Sequence, residues 1–229
     1  MRKKLLVLLI SSLITIGGTT LAFANEKMDN KFYMPTIEEQ EKAFEEIENK
    51  LKTKELKVVQ DKESNAEVPV TKFTTGTYPT RRGTFLVTDG LRVDSLVGHA
   101  GMVLGKDSYV ESFPSGGVRY YSDNWTRRYK KVWGATTKGT STFQDSKAGD
   151  WASSQYGKPY NRAFNDKETT SKFYCSQLVY KAFKTTTGVD LNHFGIVVTP
   201  ADLINDADSS VIYTYKRYEN NIIYDEKVK

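Results

Sequence analysis

Cys175 is the single cysteine of the chain, and it opens the run Cys175-Ser176-Gln177-Leu178-Val179-Tyr180. Read as a helix, Cys175, Leu178, Val179, Ala182 and Phe183 recur at i, i+3, i+4, i+7 and i+8, one apolar stripe turned toward a core. The thiol then stands in the first turn. A helix N-terminus carries partial positive charge and unpaired N–H groups, and both favour a thiolate over a thiol. No Ser, Thr, Asp or Asn immediately precedes Cys175 to cap those groups, which leaves them open to a developing oxyanion. The chemistry this suits is nucleophilic attack on a carbonyl. The competing reading is a buried structural cysteine, since free Cys is among the most buried residue types.

A thiol nucleophile needs a base, and the chain has two histidines. His193 lies in the polar stretch Asp190-Leu191-Asn192-His193. A helix from Cys175 to Thr186 carries the chain about 17 Å away. The seven residues that follow extend about 23 Å at most, so His193 returns only along a nearly straight path. His99 lies on the strand-like run Gly98-His99-Ala100-Gly101-Met102-Val103-Leu104. If Gly105, Lys106 and Asp107 form the hairpin loop, Leu104 pairs with Ser108 and Gly101 with Glu111. Glu111 then shares a face with His99 as its diagonal neighbour, within reach of a long side chain. A carboxylate there fixes the imidazole tautomer and supports the imidazolium. A two-residue loop puts Glu111 on the opposite face. The bland alternatives are a core histidine and an exposed strand carboxylate.

The elements that must position these residues read as follows. Thr36 and Glu39 form a capping box for a helix with Ile37, Ala43, Phe44, Ile47 and Leu51 on its apolar stripe, either packed on the main domain or extending from it. A polar connector over residues 57–71 follows, with a short strand at Lys57-Val58-Val59. Strands then run over Gly83 to Thr88 (closed by Asp89-Gly90), Gly98 to Leu104, Ser108 to Ser112, Val118 to Tyr121 and Lys130 to Trp133. A helix is expected from Thr142 to Tyr156 with Phe143, Ala148, Trp151 and Ala152 inward, stopped by Gly157-Lys158-Pro159-Tyr160. The Cys175 helix ends near Gly188. A β-branched run resumes at Ile196-Val197-Val198, a helix starts at Thr199-Pro200, and a last strand covers Val211 to Tyr215. Phe113, Tyr120, Tyr121, Trp125, Trp133 and Trp151 read as core aromatics. Strands in the middle flanked by helices make an α+β fold.

Taken together, Tyr174-Cys175-Ser176-Gln177-Leu178-Val179 on a helix, Gly98-His99-Ala100-Gly101-Met102-Val103 on a strand, and a polar residue twelve after the histidine resemble the NlpC-type papain-like hydrolases. The histidine precedes the cysteine, which resembles their circularly permuted branch, the YiiX/YebB-like group. Gly157-Lys158-Pro159-Tyr160 is similar to that group's Gly-x-Pro-Tyr segment, and Thr199-Pro200-Ala201-Asp202-Leu203 to its late Pro-x-x-Leu element. The match covers about residues 80–215, and Gln177 stands where a Glu is common. The resemblance implies a permuted papain-like fold, with a central antiparallel sheet and the nucleophile helix packed on it. It implies Cys175, His99 and Glu111 as the catalytic group, with Tyr160, Tyr174 and Ser176 near the substrate pocket. It implies either a cell-wall peptide amide or a lipid-linked acyl or amide bond as substrate. A wall- or lipid-binding module without catalysis is the reading from another class, and the presence of all three polar residues speaks against it.

The rest of the chain bounds where this happens. Arg2-Lys3-Lys4, the apolar stretch Leu5 to Ile16 and Ala22-Phe23-Ala24 have the form of a secretory leader cleaved after Ala24, giving a secreted or wall-associated protein. The alternative is an uncleaved anchor, since the apolar stretch is slightly short of a span. A secreted chain with one cysteine has no internal disulfide. Losing the leader lowers the formal net charge from +5 by three. Residues 25–66 hold eight lysines against eleven acids, so the excess positive charge falls on the later domain. That mild, scattered charge suits an anionic wall polymer or a membrane surface, and it does not suit nucleic acid. One cysteine and two separated histidines make no zinc spacing, and no cofactor is expected. The organisation expected is a leader over 1–24, a helix and connector over 25–71, the hydrolase domain over 72–220 and a tail over 221–229.

Overall fold

The structure is a computed structural model that describes residues 33–51, 57–60, 70–122, 124–192 and 195–219. The expectations for the leader, for residues 25–32, for most of the connector, for His193 and for the tail lie outside the described residues. An eight-stranded antiparallel sheet runs through the molecule. In chain order its strands are β1 (Lys57–Gln60), β2 (Val70–Thr75), β3 (Phe85–Val93), β4 (Leu96–Gly105), β5 (Ser108–Phe113), β6 (Gly117–Tyr121), β7 (Lys131–Thr137) and β8 (Ser209–Glu219). Their spatial order is β1-β2-β8-β7-β3-β4-β5-β6. The helices are α1 (Ile37–Leu51), α2 (Trp125–Arg128), α3 (Thr142–Ser154), α4 (Cys175–Thr187) and α5 (Pro200–Asn205). Among the described residues no helix is long and apolar enough to cross a membrane.

Both faces of the central strands are covered. Phe85, Val87, Ala100 and Met102 join the larger core with residues of α1, α3, α4 and α5. Leu86, Val103 and Tyr109 join Trp125, Tyr129, Val132, Tyr213 and Tyr215 in a second cluster. That is why Leu96 to Val103 read as one unbroken buried run and not as an alternating strand.

α1 packs on the domain. Its capping box is formed, with the Thr36 N–H donating to Glu39 Oε2 (2.7 Å) and the Glu39 N–H to Thr36 Oγ1 (3.2 Å). Phe44 and Ile47 are buried, and Phe44 stacks on Trp133 with centroids 5.4 Å apart. Gln40 shares that buried face. Its amide donates to the carbonyls of Pro35 (2.9 Å) and Ser95 (2.8 Å) and accepts from the Val97 N–H (3.0 Å), which ties α1 to the β3–β4 turn.

Four expectations need correction, and the first is Tyr120, which reads as a core aromatic and is 51% exposed. β3 does not close at Asp89-Gly90. It continues to Val93 with an irregularity between Thr88 and Arg92, where the Gly90 N–H donates to Thr88 Oγ1 (3.0 Å) in place of a ladder bond. Phe143 is 68% exposed, because α3 turns Asp145, Ala148, Gly149 and Ala152 inward. Asp145 can be buried there because Arg81 Nη1 (2.7 Å), Thr136 Oγ1 (2.7 Å) and Thr140 Oγ1 (2.6 Å) all donate to it. Ile196 to Val198 form no strand. Side chains hold that run: Asn192 Nδ2 and Ser176 Oγ donate to the Val197 and Val198 carbonyls (both 2.6 Å), and the Val198 N–H donates to the Tyr174 hydroxyl (3.1 Å).

Candidate active site

β4 and β5 bring His99 and Glu111 together. Gly101 pairs with Glu111, as the three-residue loop predicts, but the loop itself is two residues, Lys106 and Asp107. The strands meet again as Gly105 and Ser108, with a one-residue register shift between Val103 and Gly105. This irregularity restores the face that a plain two-residue turn would reverse. His99 Nε2 and Glu111 Oε2 lie 2.8 Å apart. Gly101 makes room for the carboxylate: a Cβ there would stand 2.7 Å from Glu111 Cγ and 2.8 Å from Trp125 Cζ2. Gly98, at φ +89°, likewise lets the Phe44 ring and the Thr88 carbonyl approach the strand.

α4 starts at Cys175, with Tyr174 as a cap residue that offers no side-chain cap, and ends at Gly188 in the left-handed region (φ 80°). His99 lies beside Cys175, and the imidazole together with the backbone of Ala100 and Ser176 favours the ionised form of the sulfur. Since Nε2 of His99 faces Glu111, Nδ1 is the nitrogen toward Cys175. Phe113 and Trp125 stack on the imidazole with centroids 4.2 Å and 5.4 Å away, which fixes the ring plane.

Burial is nearly complete, with Cys175 2% exposed, His99 1% and Glu111 0%. Burial alone lowers the His99 value, but its hydrogen bonds to Cys175 and Glu111 and their charges outweigh it and push it up to about 9. Burial raises the Cys175 thiol, and the imidazolium beside it, with the Ala100 and Ser176 N–H groups, brings it below its ordinary value. Glu111 follows the same pattern. Burial raises it, and His99 and Arg128 hold it below the usual carboxylate range. Both shifts run in the direction that favours a thiolate beside an imidazolium.

The residues expected near the pocket separate. Tyr160 forms an isolated bridge with Phe173, and its buried hydroxyl has no hydrogen-bond partner. Burial and the Cys175 charge push that phenol well up, which keeps it a neutral donor. The Tyr174 hydroxyl donates to the Phe164 carbonyl (3.2 Å), and the Ser176 hydroxyl donates to Val198 O, so both are engaged inside the protein. Gln177 is also structural. Its Nε2 donates to the carbonyls of Asp166 (3.0 Å) and Thr169 (3.2 Å), and its Oε1 accepts from Asn161 Nδ2 (3.0 Å) and the Tyr174 N–H (3.2 Å). It anchors the 161–174 segment to α4. Gln177→Glu sets a buried carboxylate against two carbonyl oxygens. We expect a loss of about 3 kcal/mol in urea unfolding at pH 8. The loss is smaller at pH 5, where the buried acid, its folded value raised above the unfolded one, binds a proton and regains a donor. Equal stability of the two proteins at pH 8 would contradict this role for the amide.

Trp125 and Arg128 complete the site, and the sequence did not single out Arg128. Asn124 Oδ1 caps the α2 turn by accepting from the Thr126 N–H (2.9 Å), and the turn aims both residues at Glu111 Oε1. Trp125 Nε1 lies at 3.0 Å and Arg128 Nη2 at 2.5 Å. The available signal was an aromatic and an arginine three apart, one face of a single turn.

In an unpermuted papain-like enzyme the cysteine helix comes before the histidine strand. Here β4 precedes α4 while the thiol, imidazole and carboxylate still meet, which defines a permuted papain-like cysteine enzyme. Comparison with known proteins agrees. A model of the permuted papain-like amidase family, YaeF/YiiX, C92, matches residues 84–222, and the chain belongs to that family. It is 34% identical over 121 residues to the uncharacterized protein YycO of Bacillus subtilis (strain 168). The alignment takes in 51% of this chain and 49% of YycO, so the chain spans about half the length of that relative. The crystal structure of metalloprotein yiiX from Escherichia coli O157:H7 superposes with a TM-score of 0.47 at 17% identity, over 59% of this chain and 97% of that one.

The donor set here does not fit a metal centre. Among the described residues the Cys175 sulfur has one imidazole beside it, Glu111 accepts from His99, Trp125 and a guanidinium, and no group of three or more His, Cys, Asp or Glu could hold a metal ion.

Proposed function

We propose that the protein is an exported cysteine amidase that hydrolyses peptide amide bonds of the cell wall, with Cys175 as nucleophile, His99 as proton carrier and Glu111 as its support. The observation that carries this reading is the buried cluster of Cys175, His99 and Glu111, with the carboxylate 2.8 Å behind the imidazole. The Cys175 sulfur attacks the carbonyl carbon, and the C–O π electrons move to oxygen. The Tyr160 hydroxyl, together with N–H groups of the first turn of α4, receives that oxyanion. As the tetrahedral intermediate collapses, His99 delivers its proton to the departing amine and an acyl-enzyme remains. His99, now neutral, takes a proton from water, the hydroxide adds to the thioester, and the sulfur leaves as thiolate with His99 again protonated. The leader over residues 1–24, cleaved after Ala24, carries the chain to the wall. The mildly basic charge of the later domain holds it near an anionic polymer.

The test is incubation of the exported protein with purified wall peptides and, separately, with phospholipid vesicles, followed by mass spectrometry. Release of free amino and carboxyl groups from the peptides is the expected result. Transfer or release of acyl chains alone would move the substrate to lipid. No turnover of either, with Cys175 still alkylated rapidly, would make the protein a binding module.

A further inference from the structure

Glu111 is fully buried and meets three donors, His99 Nε2 from β4 and Trp125 Nε1 and Arg128 Nη2 from α2. A carboxylate withdrawn from water with no cation beside it takes up a proton instead. His99 is that cation for only part of the cycle, because once it has protonated the leaving group it is neutral. A lone buried carboxylate hydrogen-bonded to a neutral imidazole then competes for the proton that the imidazole must next handle. Arg128 is never deprotonated and is a cation at every stage.

The guanidinium is also fixed in direction. It lies over the rings of Tyr129 (5.2 Å), Trp125 (5.3 Å) and Tyr121 (5.7 Å). Among the described residues, the other ionisable groups named beside the cluster do not take its place. Burial raises Tyr121 from β6, Tyr129 after α2, Tyr109 from β5 and Tyr160 beside Cys175, so these phenols stay neutral. Arg119 is paired with Glu111 across the β5–β6 ladder, yet it donates to the Val118 carbonyl (2.8 Å) and lies over the Tyr156 ring (5.2 Å).

We propose that Arg128 is a positioning residue of this site: its guanidinium holds the Glu111 carboxylate fixed and ionised throughout the cycle, so that His99 exchanges its proton with substrate and water and not with Glu111. The inference rests on the reading of Cys175 and His99 as the reacting pair. A fixed positive charge makes every nearby proton easier to remove, so taking it away raises both the thiol and the imidazolium. The thiolate–imidazolium pair exists above the lowered Cys175 value and below about 9, where His99 loses its proton. Neutralising Arg128 moves both limits toward alkaline pH.

Cys175 is the chain's one cysteine, so its alkylation by iodoacetamide reads the lower limit with no substrate at all. In Arg128→Gln the rise of the alkylation rate with pH is displaced upward by about one pH unit. Arg128→Lys keeps the charge and loses the fork, so its profile stays in place while turnover falls severalfold. Arg127→Gln removes an exposed charge from the same turn and leaves the profile where it was. Coincident profiles for wild type and Arg128→Gln overturn the proposal, as does an equal displacement in Arg127→Gln. If circular dichroism shows Arg128→Gln unfolded, Arg128→Lys decides alone. A profile displaced by about one unit in that variant overturns the proposal, and an unmoved profile with reduced turnover sustains it. Wild-type protein that turns over no amide or ester, while Arg128→Gln still displaces the profile, overturns the amidase reading and leaves standing the hold of Arg128 on the charges of Glu111, His99 and Cys175.

Discussion

Cys175→Ala and His99→Ala each lower turnover by about 10⁴-fold or more, and the double variant loses little beyond either single one. The reason is that thiol and imidazole act as one ion pair: without His99 the buried sulfur loses the contact that lowers its value, and without Cys175 there is no nucleophile for His99 to serve. His193→Ala leaves the rate unchanged, because the nitrogen facing the sulfur already belongs to His99. Steady-state kinetics on any hydrolysed amide or ester, including an unspecific one, measures all four proteins. A His193→Ala variant as inactive as His99→Ala would undo the assignment of the base, and a double variant far below both single ones would show that the two residues act separately.

The parts of this site that follow short-range periodicity were legible before the fold was known. Cys175 at a helix start, His99 on a strand and Glu111 on the same face all follow from 3.6- and 2-residue repeats. The hairpin shows the margin involved. The pairing of Gly101 with Glu111 was anticipated from a three-residue loop, but the chain reaches it with two loop residues and a register irregularity. Sequence spacing constrains the sum of those residues and not their division. Arg128 was not legible as part of the site, because its meeting with Glu111 depends on β6 and α2 folding back over β5, a long-range arrangement with no periodic trace. Trp125 was read only as core, and Gln40 not at all, since a polar residue on an apolar stripe gives no sign of the three backbone groups it serves. Phe143 misled for the opposite reason. It fits the inner face of a helix by spacing, but Asp145, held by Arg81 and three threonines, sets the rotation of α3.

Glu111→Gln reaches nearly the depth of His99→Ala, although Glu111 never handles substrate. Oε1 accepts from Trp125 Nε1 and Arg128 Nη2, and Oε2 accepts from His99 Nε2. Trp125 and Arg128 can only donate, so an amide at this position must give them its oxygen and turn its NH₂ toward His99. His99 Nε2 then becomes the acceptor, and the ring proton of neutral imidazole moves to Nδ1, the nitrogen facing Cys175. That tautomer cannot accept the thiol proton, and the fall in turnover is about 10³- to 10⁴-fold. The reverse orientation sets an NH₂ group against two obligate donors. Glu111→Ala imposes no tautomer, so it keeps more activity than Glu111→Gln while folding less stably. It leaves the Arg128 charge and the Trp125 N–H without their buried partner, a loss of about 3 kcal/mol or more. Turnover measured beside urea unfolding for the two variants should thus rank them in opposite orders. If Glu111→Gln is the more active of the two, the carboxylate acts through its charge alone and the tautomer argument fails.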